Sequence, residues 1–353
     1  MIKPQRLKKG DKVAIVSLSA GTLGEKWAIH RYYIAKERLE NDFGLKVVVM
    51  ENTLKGIKYL DEHPEARAKD LMDAFKDDSI KAVFNAIGGD DTIRLLPYID
   101  FEVIRNHPKV FTGYSDTTIN HLMMYKAGLV SYYGLAVLTT LSEYVKMDDY
   151  SLEMMRKTLF EPVQQLEIYK APYYYDDDDE MIRWDENNIN VLRQYHKDEN
   201  GYEVIQGNGV VEGELLGGCL DTFIEVLGTE LWPDKEKWKG KIMFLETSEV
   251  DMSEYQLAWI LRNFMAQGLF DVINGIVVGK PSRRKKYEIY KKVYQRVIGI
   301  EAHHPELPIL YNANIGHALP IAVIPYGVRC RLDLDKKTFT LLEPHVIFKR
   351  LRK

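Results

Sequence analysis

Cysteine is scarce: the 353 residues hold only Cys219 and Cys330. Two cysteines cannot supply a disulfide framework or a cysteine-based metal cluster. Both stand in apolar surroundings and are expected to be small buried residues. Long apolar runs are missing too. None approaches the ~18 residues of a membrane-spanning helix. Nor is there an excess of one charge: 48 Lys and Arg against 52 Asp and Glu leave a formal net charge of −4. A nucleic acid polymer is therefore not an expected partner, and the basic cluster Arg283-Arg284-Lys285-Lys286 reads as the start of a solvated helix. Near the N-terminus Lys8-Lys9 precede Val13-Ala14-Ile15-Val16, a run too short for an export signal. It reads as a first buried strand, and the expected location is cytoplasmic, away from membranes. No internal repeat is visible. The only biased tract is Asp176-Asp177-Asp178-Asp179-Glu180, read as a solvated run.

What the chain does have is material for a core, with 46% hydrophobic residues. Its length suits two domains. Residues 1–162 alternate short apolar runs with longer amphipathic segments, the pattern of an α/β fold with a parallel sheet and crossover helices. Strands are predicted at Lys12–Leu18, Leu45–Met50, Ala82–Ile87, Val110–Thr112 and Val130–Tyr133. Helices are predicted near 25–41, 64–77, 91–105, 117–127 and 150–160. Residues 163–209 lose this pattern and read as a connection with a long exposed loop, its apolar anchor around Met181-Ile182 and Trp184. Residues 210–353 are patterned again. They hold strands at Val210–Leu216, Lys241–Leu245 and Ile273–Val278, and a turn at Gly217-Gly218-Cys219 leading into a helix. A helix over Tyr255–Ala266, a long one at 285–302, and C-terminal strands at Ile321–Ile324, Arg329–Leu334 and Phe339–Leu342 complete this half.

The stretch VFTGYSDTTINHLMMYKAG, residues 110–128, carries the first chemical signal. The apolar Val110-Phe111 ends at Gly113-Tyr114, and Ser115-Asp116 precede a helical pattern. A serine on a sharp strand-to-helix turn stands clear of the sheet, and free N–H groups at the helix start can stabilise an oxyanion. The plainer reading is that Ser115 or Asp116 caps the helix. A serine nucleophile needs a base, itself oriented by an acid. His317, in the loop Asn312–Pro320, is the histidine best placed for presentation at a sheet edge; otherwise it is a surface loop residue. Glu246 directly follows the apolar Ile242–Leu245, at the carboxyl end of a strand where open α/β sheets place functional groups. It could equally face solvent, and Glu249 competes for the same role. Gly88-Gly89-Asp90-Asp91-Thr92 follows a predicted strand. Its glycines allow a ligand to approach the backbone, or they simply make a tight turn with a polar cap.

Taken in order along the chain, these segments resemble the serine LD-carboxypeptidase family, peptidases with a Ser–Glu–His triad. The resemblance runs from Pro4–Val16 through Ala86-Ile87-Gly88-Gly89-Asp90-Asp91, Gly113-Tyr114-Ser115-Asp116, Leu216-Gly217-Gly218-Cys219-Leu220 and Phe244–Glu249 to Gly316-His317. It implies a Rossmann-like N-terminal domain with a parallel sheet, a smaller, β-rich C-terminal α/β domain, and a site at their interface. It also implies Ser115 as nucleophile, His317 as general base and Glu246 as the orienting acid, with the backbone N–H groups of Gly89 and Asp116 as oxyanion hole. Gly88, Asp90 and Trp184 would contact substrate. No metal or cofactor is implied, and a homodimer is. Gly218-Cys219-Leu220, Glu246–Glu249, Leu261-Arg262-Asn263-Phe264 and Pro325-Tyr326-Gly327-Val328 are closer to the microcin C self-immunity branch than to the murein-recycling branch. In the former, an aromatic residue of the long loop stacks on the adenine of an aminoacyl nucleotide, a role that falls to Trp184 here.

The expected reaction is amide hydrolysis through an acyl-enzyme, on an aminoacyl or peptidyl nucleotide or, alternatively, a murein tetrapeptide. A remoter alternative is phosphoryl transfer, since Gly88-Gly89-Asp90-Asp91-Thr92 is similar to the phosphate loop of NAD and lipid kinases, with Asp91 in place of a glycine. A non-catalytic binding protein is the third class. The motif is not Gly-x-Ser-x-Gly, which disfavours an ordinary α/β-hydrolase.

Overall fold

A computed structural model describes residues 1–179 and 186–348. The first half builds five parallel strands: β1 (Lys12–Val16), β2 (Lys46–Val49), β3 (Ile80–Asn85), β4 (Val110–Gly113) and β5 (Tyr132–Tyr133). They lie side by side in the order β2-β1-β3-β4-β5. β1, β3 and β4 are apolar and almost wholly buried, as strands covered on both faces must be. The chain runs outward from β1 to β2 and then returns past β1 to β3. That reversal opens a crevice at the carboxyl ends of β1 and β3, the usual ligand position in such sheets.

The remaining strands are β6 (Leu166–Glu167), β7 (Tyr173–Tyr174), β8 (His196–Lys197), β9 (Glu203–Gln206), β10 (Val210–Cys219), β11 (Ile242–Glu246), β12 (Gly275–Gly279), β13 (Ile309–Ala313), β14 (Ile324–Pro325), β15 (Arg329–Asp333) and β16 (Thr338–Leu341). A second sheet runs β6-β16-β15-β10-β11-β12-β13-β9. Its centre, β10 to β13, is parallel, and its flanks are antiparallel. The fold is thus α/β with two sheets. Both cysteines are buried and free.

Several sequence expectations are corrected. Gly217-Gly218-Cys219 is not a turn but the end of β10. Glycine is needed there for packing, because a Cβ on Gly217 would lie 1.8 Å from the Phe244 carbonyl oxygen. The predicted helix 91–105 is a 3₁₀ turn, Thr92–Tyr98, followed by the helix Phe101–Asn106. Pro97 cannot continue the ladder, and Asp100 caps the second helix by accepting from Glu102 N–H (3.0 Å) and Val103 N–H (3.2 Å). The helix at 285–302 is regular over Tyr287–Tyr294 and widens to π geometry over Gln295–Glu301.

The segment 163–209 is more than a loop. β6 and β9 close the two edges of the second sheet, and β7 pairs with β8. Of the predicted strand Ile321–Ile324 only the end is extended, and it crosses over: β14 pairs antiparallel with β5, adding a sixth strand to the first sheet. The two halves are therefore laced together by main-chain hydrogen bonds beside β5.

Candidate active site

β4 delivers its C-terminal end into the crevice. The helix Thr117–Ala127 begins four residues later, and Ser115 occupies the turn at φ 64°. A left-handed serine is strained, by roughly 1–3 kcal/mol, and such strain collects where a side chain must be presented. Below the turn His121 pins it. A carbonyl can only accept, so His121 Nε2 donates to Gly113 O (2.9 Å) and Nδ1 accepts from Ser131 Oγ (2.8 Å). Burial pulls the pKa of this ring down to about 3, so His121 is a neutral structural pin.

Asp116 does not cap the helix. Its fully buried carboxylate turns back to the loop after β3. It accepts from Ser19 Oγ (2.5 Å), Thr92 Oγ1 (2.6 Å), Thr92 N–H (3.0 Å) and Asp91 N–H (3.2 Å). This ties Gly88–Thr92 to the serine turn. Gly88 touches Ser115 closely enough that a Cβ there would fall 2.7 Å from Ser115 Cβ. Among the described residues, the N–H groups of Gly89 and Asp116 donate to no protein acceptor, whereas Ser115 N–H donates to the Tyr133 hydroxyl (3.1 Å).

The second sheet supplies the other groups. Glu246 ends β11 and is 1% exposed. Its Oε2 accepts from His317 Nδ1 (2.7 Å), and its Oε1 accepts from the Tyr133 hydroxyl. Burial alone would raise the Glu246 pKa. The charge and hydrogen bond of His317, with help from Tyr133 and Cys219, instead hold it below the usual carboxylate value. His317 follows β13 and packs edge-on against Tyr114, ring centroids 5.0 Å apart. Burial disfavours its imidazolium, but the Glu246 charge and hydrogen bond outweigh that. Glu249 and Asp221 add to the effect, and the His317 pKa is pushed up to about 9. The other ring nitrogen, Nε2, lies 3.3 Å from Glu249 Oε2.

Glu246 and Glu249, rivals for one role in the sequence, thus take opposite sides of one imidazole. Removing the Glu249 charge should favour neutral His317. Glu249→Gln is expected to lower the His317 pKa, followed by NMR titration of the ring. An unchanged value would show that this contact contributes nothing.

Ser115 and His317 open onto one cavity of about 1690 Å³, whose wall also includes Gly88, Gly89, Asp90, Cys219 and Glu249. Cys219 Sγ, a Glu246 oxygen and a His317 nitrogen lie within 4.8 Å of one another, a spacing that could hold a metal ion. In the structure as it stands, Glu246 and His317 satisfy each other. Burial pushes the Cys219 thiol well above its ordinary pKa, which keeps it a thiol. Asp177 also lines the cavity, and burial pushes its pKa up to about 6. Its neighbours Asp178 and Asp179 pair with Arg283, Lys285 and His196. The described part of the acidic run is therefore engaged rather than simply solvated. Trp184 lies outside the described residues.

Models of the LD-carboxypeptidase N-terminal and C-terminal domains match residues 13–134 and 212–332. The chain belongs to the LD-carboxypeptidase family. It is similar to the microcin C7 self-immunity protein MccF of Escherichia coli, 28% identical over 346 residues that span 96% of this chain and 94% of that protein. It is likewise 28% identical over 342 residues to a probable murein peptide carboxypeptidase of Bacillus subtilis, spanning 95% of this chain and 93% of that one. Among solved structures, an MccF-like protein from Streptococcus pneumoniae in complex with AMP superposes with a TM-score of 0.86 at 34% identity, covering 94% of this chain and 98% of that one. MccF in complex with aspartyl sulfamoyl adenosine superposes at 0.83 and 25% identity, covering 98% and 100%.

For an LD-carboxypeptidase family member, the sequence-derived residues Ser115, Gly88, Gly89, Asp90 and His317 all reach one cavity, with Glu246 behind its wall. Sequence reasoning missed Tyr133 and Asp177. Nothing local marks Tyr133, an aromatic residue in a buried strand, as a partner of Glu246.

Proposed function

We propose that the protein is a serine peptidase that cleaves an amide through an acyl-enzyme. Ser115 is the nucleophile, His317 the general base and Glu246 the acid that orients it. The observation that carries this reading is the unbroken polar chain from Ser115 N–H through Tyr133 and Glu246 to the His317 ring, beside a cavity that admits substrate. In its neutral form, which the raised pKa of about 9 makes the minor one at neutral pH, His317 takes the proton of Ser115 Oγ as that oxygen attacks the carbonyl carbon. The N–H groups of Gly89 and Asp116, which donate to no acceptor among the described residues, hold the developing oxyanion. The C–N bond breaks as His317 returns the proton to the leaving nitrogen. Water then repeats the sequence on the acyl-enzyme.

The substrate we favour is an aminoacyl or peptidyl nucleotide, cut at the bond to its phosphoramidate or sulfamoyl nitrogen. The MccF structure with aspartyl sulfamoyl adenosine, and the AMP complex of the similar pneumococcal protein, support this class. Trp184 is assigned to the nucleobase by the family resemblance. The second reading, a murein tetrapeptide carboxypeptidase, is supported by the Bacillus subtilis relative. Steady-state turnover of an aminoacyl-sulfamoyl adenosine and of a murein tetrapeptide separates the two. The nucleotide is expected to be cut with the larger kcat/KM, and cleavage of the tetrapeptide alone would transfer the protein to the second reading.

Phosphoryl transfer fits poorly. Asp91 of the Gly88–Thr92 loop is committed to Arg67 in a two-point pair (2.6 and 2.8 Å). Burial first, and then the nearby charges of Asp116, Asp90 and Asp91, push the pKa of Glu225 up to about 8, so the surroundings of this loop are acidic. The division at residues 162 and 209, the homodimer and the cytoplasmic location belong to the proposed function as well.

A further inference from the structure

Resting on the serine peptidase reading above, we propose that Tyr133 is a positioning residue that sets Ser115 and Glu246 through one hydroxyl and so joins the two halves of the site. Tyr133 is fully buried. It closes β5, where it is paired with Gly113 on one side and Ile324 on the other. Main chain from both halves therefore fixes its backbone. Its ring packs against Phe244 (5.4 Å between centroids) and His121 (5.5 Å). Phe244 and Glu246 are two residues apart on β11 and so share a face. The ring seats on the first, and the hydroxyl reaches the second.

The direction of each hydrogen bond is forced. Ser115 N–H can only donate, so the phenol oxygen accepts there, at 3.1 Å. The phenol proton is then free for Glu246 Oε1, which can only accept while ionised. Glu246 Oε2 remains for His317 Nδ1, at 2.7 Å. One hydroxyl thus has three consequences. It holds the left-handed Ser115 backbone by its N–H. It gives each Glu246 oxygen its own donor, which fixes the carboxylate plane and hence the His317 ring, with Nδ1–H on the acid and Nε2 turned to Glu249 (3.3 Å). It also withdraws Ser115 N–H from the cavity, so that the oxyanion donors are those of Gly89 and Asp116. Phenylalanine would fill the same space among the same rings and lose only these effects. Tyr133 does not line the cavity, so its influence on substrate is indirect.

The test compares full-length Tyr133→Phe, Ser115→Ala and the unsubstituted protein. Loss of a hydrogen bond to a buried carboxylate should cut kcat roughly ten- to hundredfold, with KM nearly unchanged. Without the phenol donor the Glu246 charge is dispersed over one hydrogen bond fewer and acts more strongly on His317, favouring imidazolium. The acidic limb of the kcat profile should therefore move to higher pH. 3-Fluorotyrosine at position 133 keeps the fold and is a stronger donor, so it should move the limb to lower pH; this arm decides if Tyr133→Phe does not fold. A rise in KM with unchanged kcat, or limbs that stay in place in both variants, overturns the positioning role. Normal turnover by Ser115→Ala overturns the serine reading and this inference together. A dead Ser115→Ala beside a Tyr133→Phe enzyme with unaltered kcat and limb overturns this inference alone.

Discussion

Ser115→Ala is expected to lose roughly five to six orders of magnitude in kcat while folding normally. The side chain removed is the one group on the strand-to-helix turn that could form the acyl-enzyme. The rest of the turn is held by contacts the substitution leaves alone. Tyr133 still accepts the backbone N–H of residue 115, and the Asp116 carboxylate still binds the loop after β3. Alanine tolerates φ 64° no better and little worse than serine, so the midpoint of thermal unfolding should barely shift. The measurement is steady-state turnover with circular dichroism on the same sample, together with labelling by a fluorophosphonate probe, which the variant should not show. Near-normal turnover with intact structure would remove Ser115 as nucleophile.

His317→Ala should cost a comparable factor in kcat, since serine without its base is a weak nucleophile. It should also cost stability, which Ser115→Ala should not. Glu246 is 1% exposed and would be left as a buried carboxylate without its cationic partner. Breaking such a pair costs about 3 kcal/mol at neutral pH. In the variant, burial is no longer opposed by His317, so the Glu246 pKa in the folded state rises above its unfolded value. The protonated form then favours folding. The stability deficit should be small below about pH 4 and should grow as pH rises through the carboxylate range. Denaturant unfolding at several pH values reads this directly, and a deficit independent of pH would show that Glu246 is not the group left unpaired.

How far the site could be read along the chain depended on whether each signal was local. The serine turn was legible because a buried strand running into small and capping residues is a short-range pattern. Glu246 stood out as a charge at the end of an apolar run. His317 was selected by the order of several weak motifs rather than by its own neighbours. Asp116 misled, because a residue that caps helices in general here spends its carboxylate on a loop 24 residues earlier. Gly217-Gly218 misled in the same way: glycine commonly marks turns, but here it admits a neighbouring strand. Tyr133 lies 113 residues from Glu246, and no local pattern announces that pairing.

The sequence by itself therefore determined the α/β class, the parallel first sheet, the serine turn and the family, since these follow from hydrophobic periodicity and from ordered short motifs. Only the tertiary structure decided that β14 crosses into the first sheet, that Glu246 and Glu249 take opposite nitrogens of His317, and that one phenol joins Ser115 to Glu246. Those outcomes depend on which side chains meet when two sheets pack together. Such meetings are governed by the geometry of the assembled core, which residues adjacent in the chain do not encode.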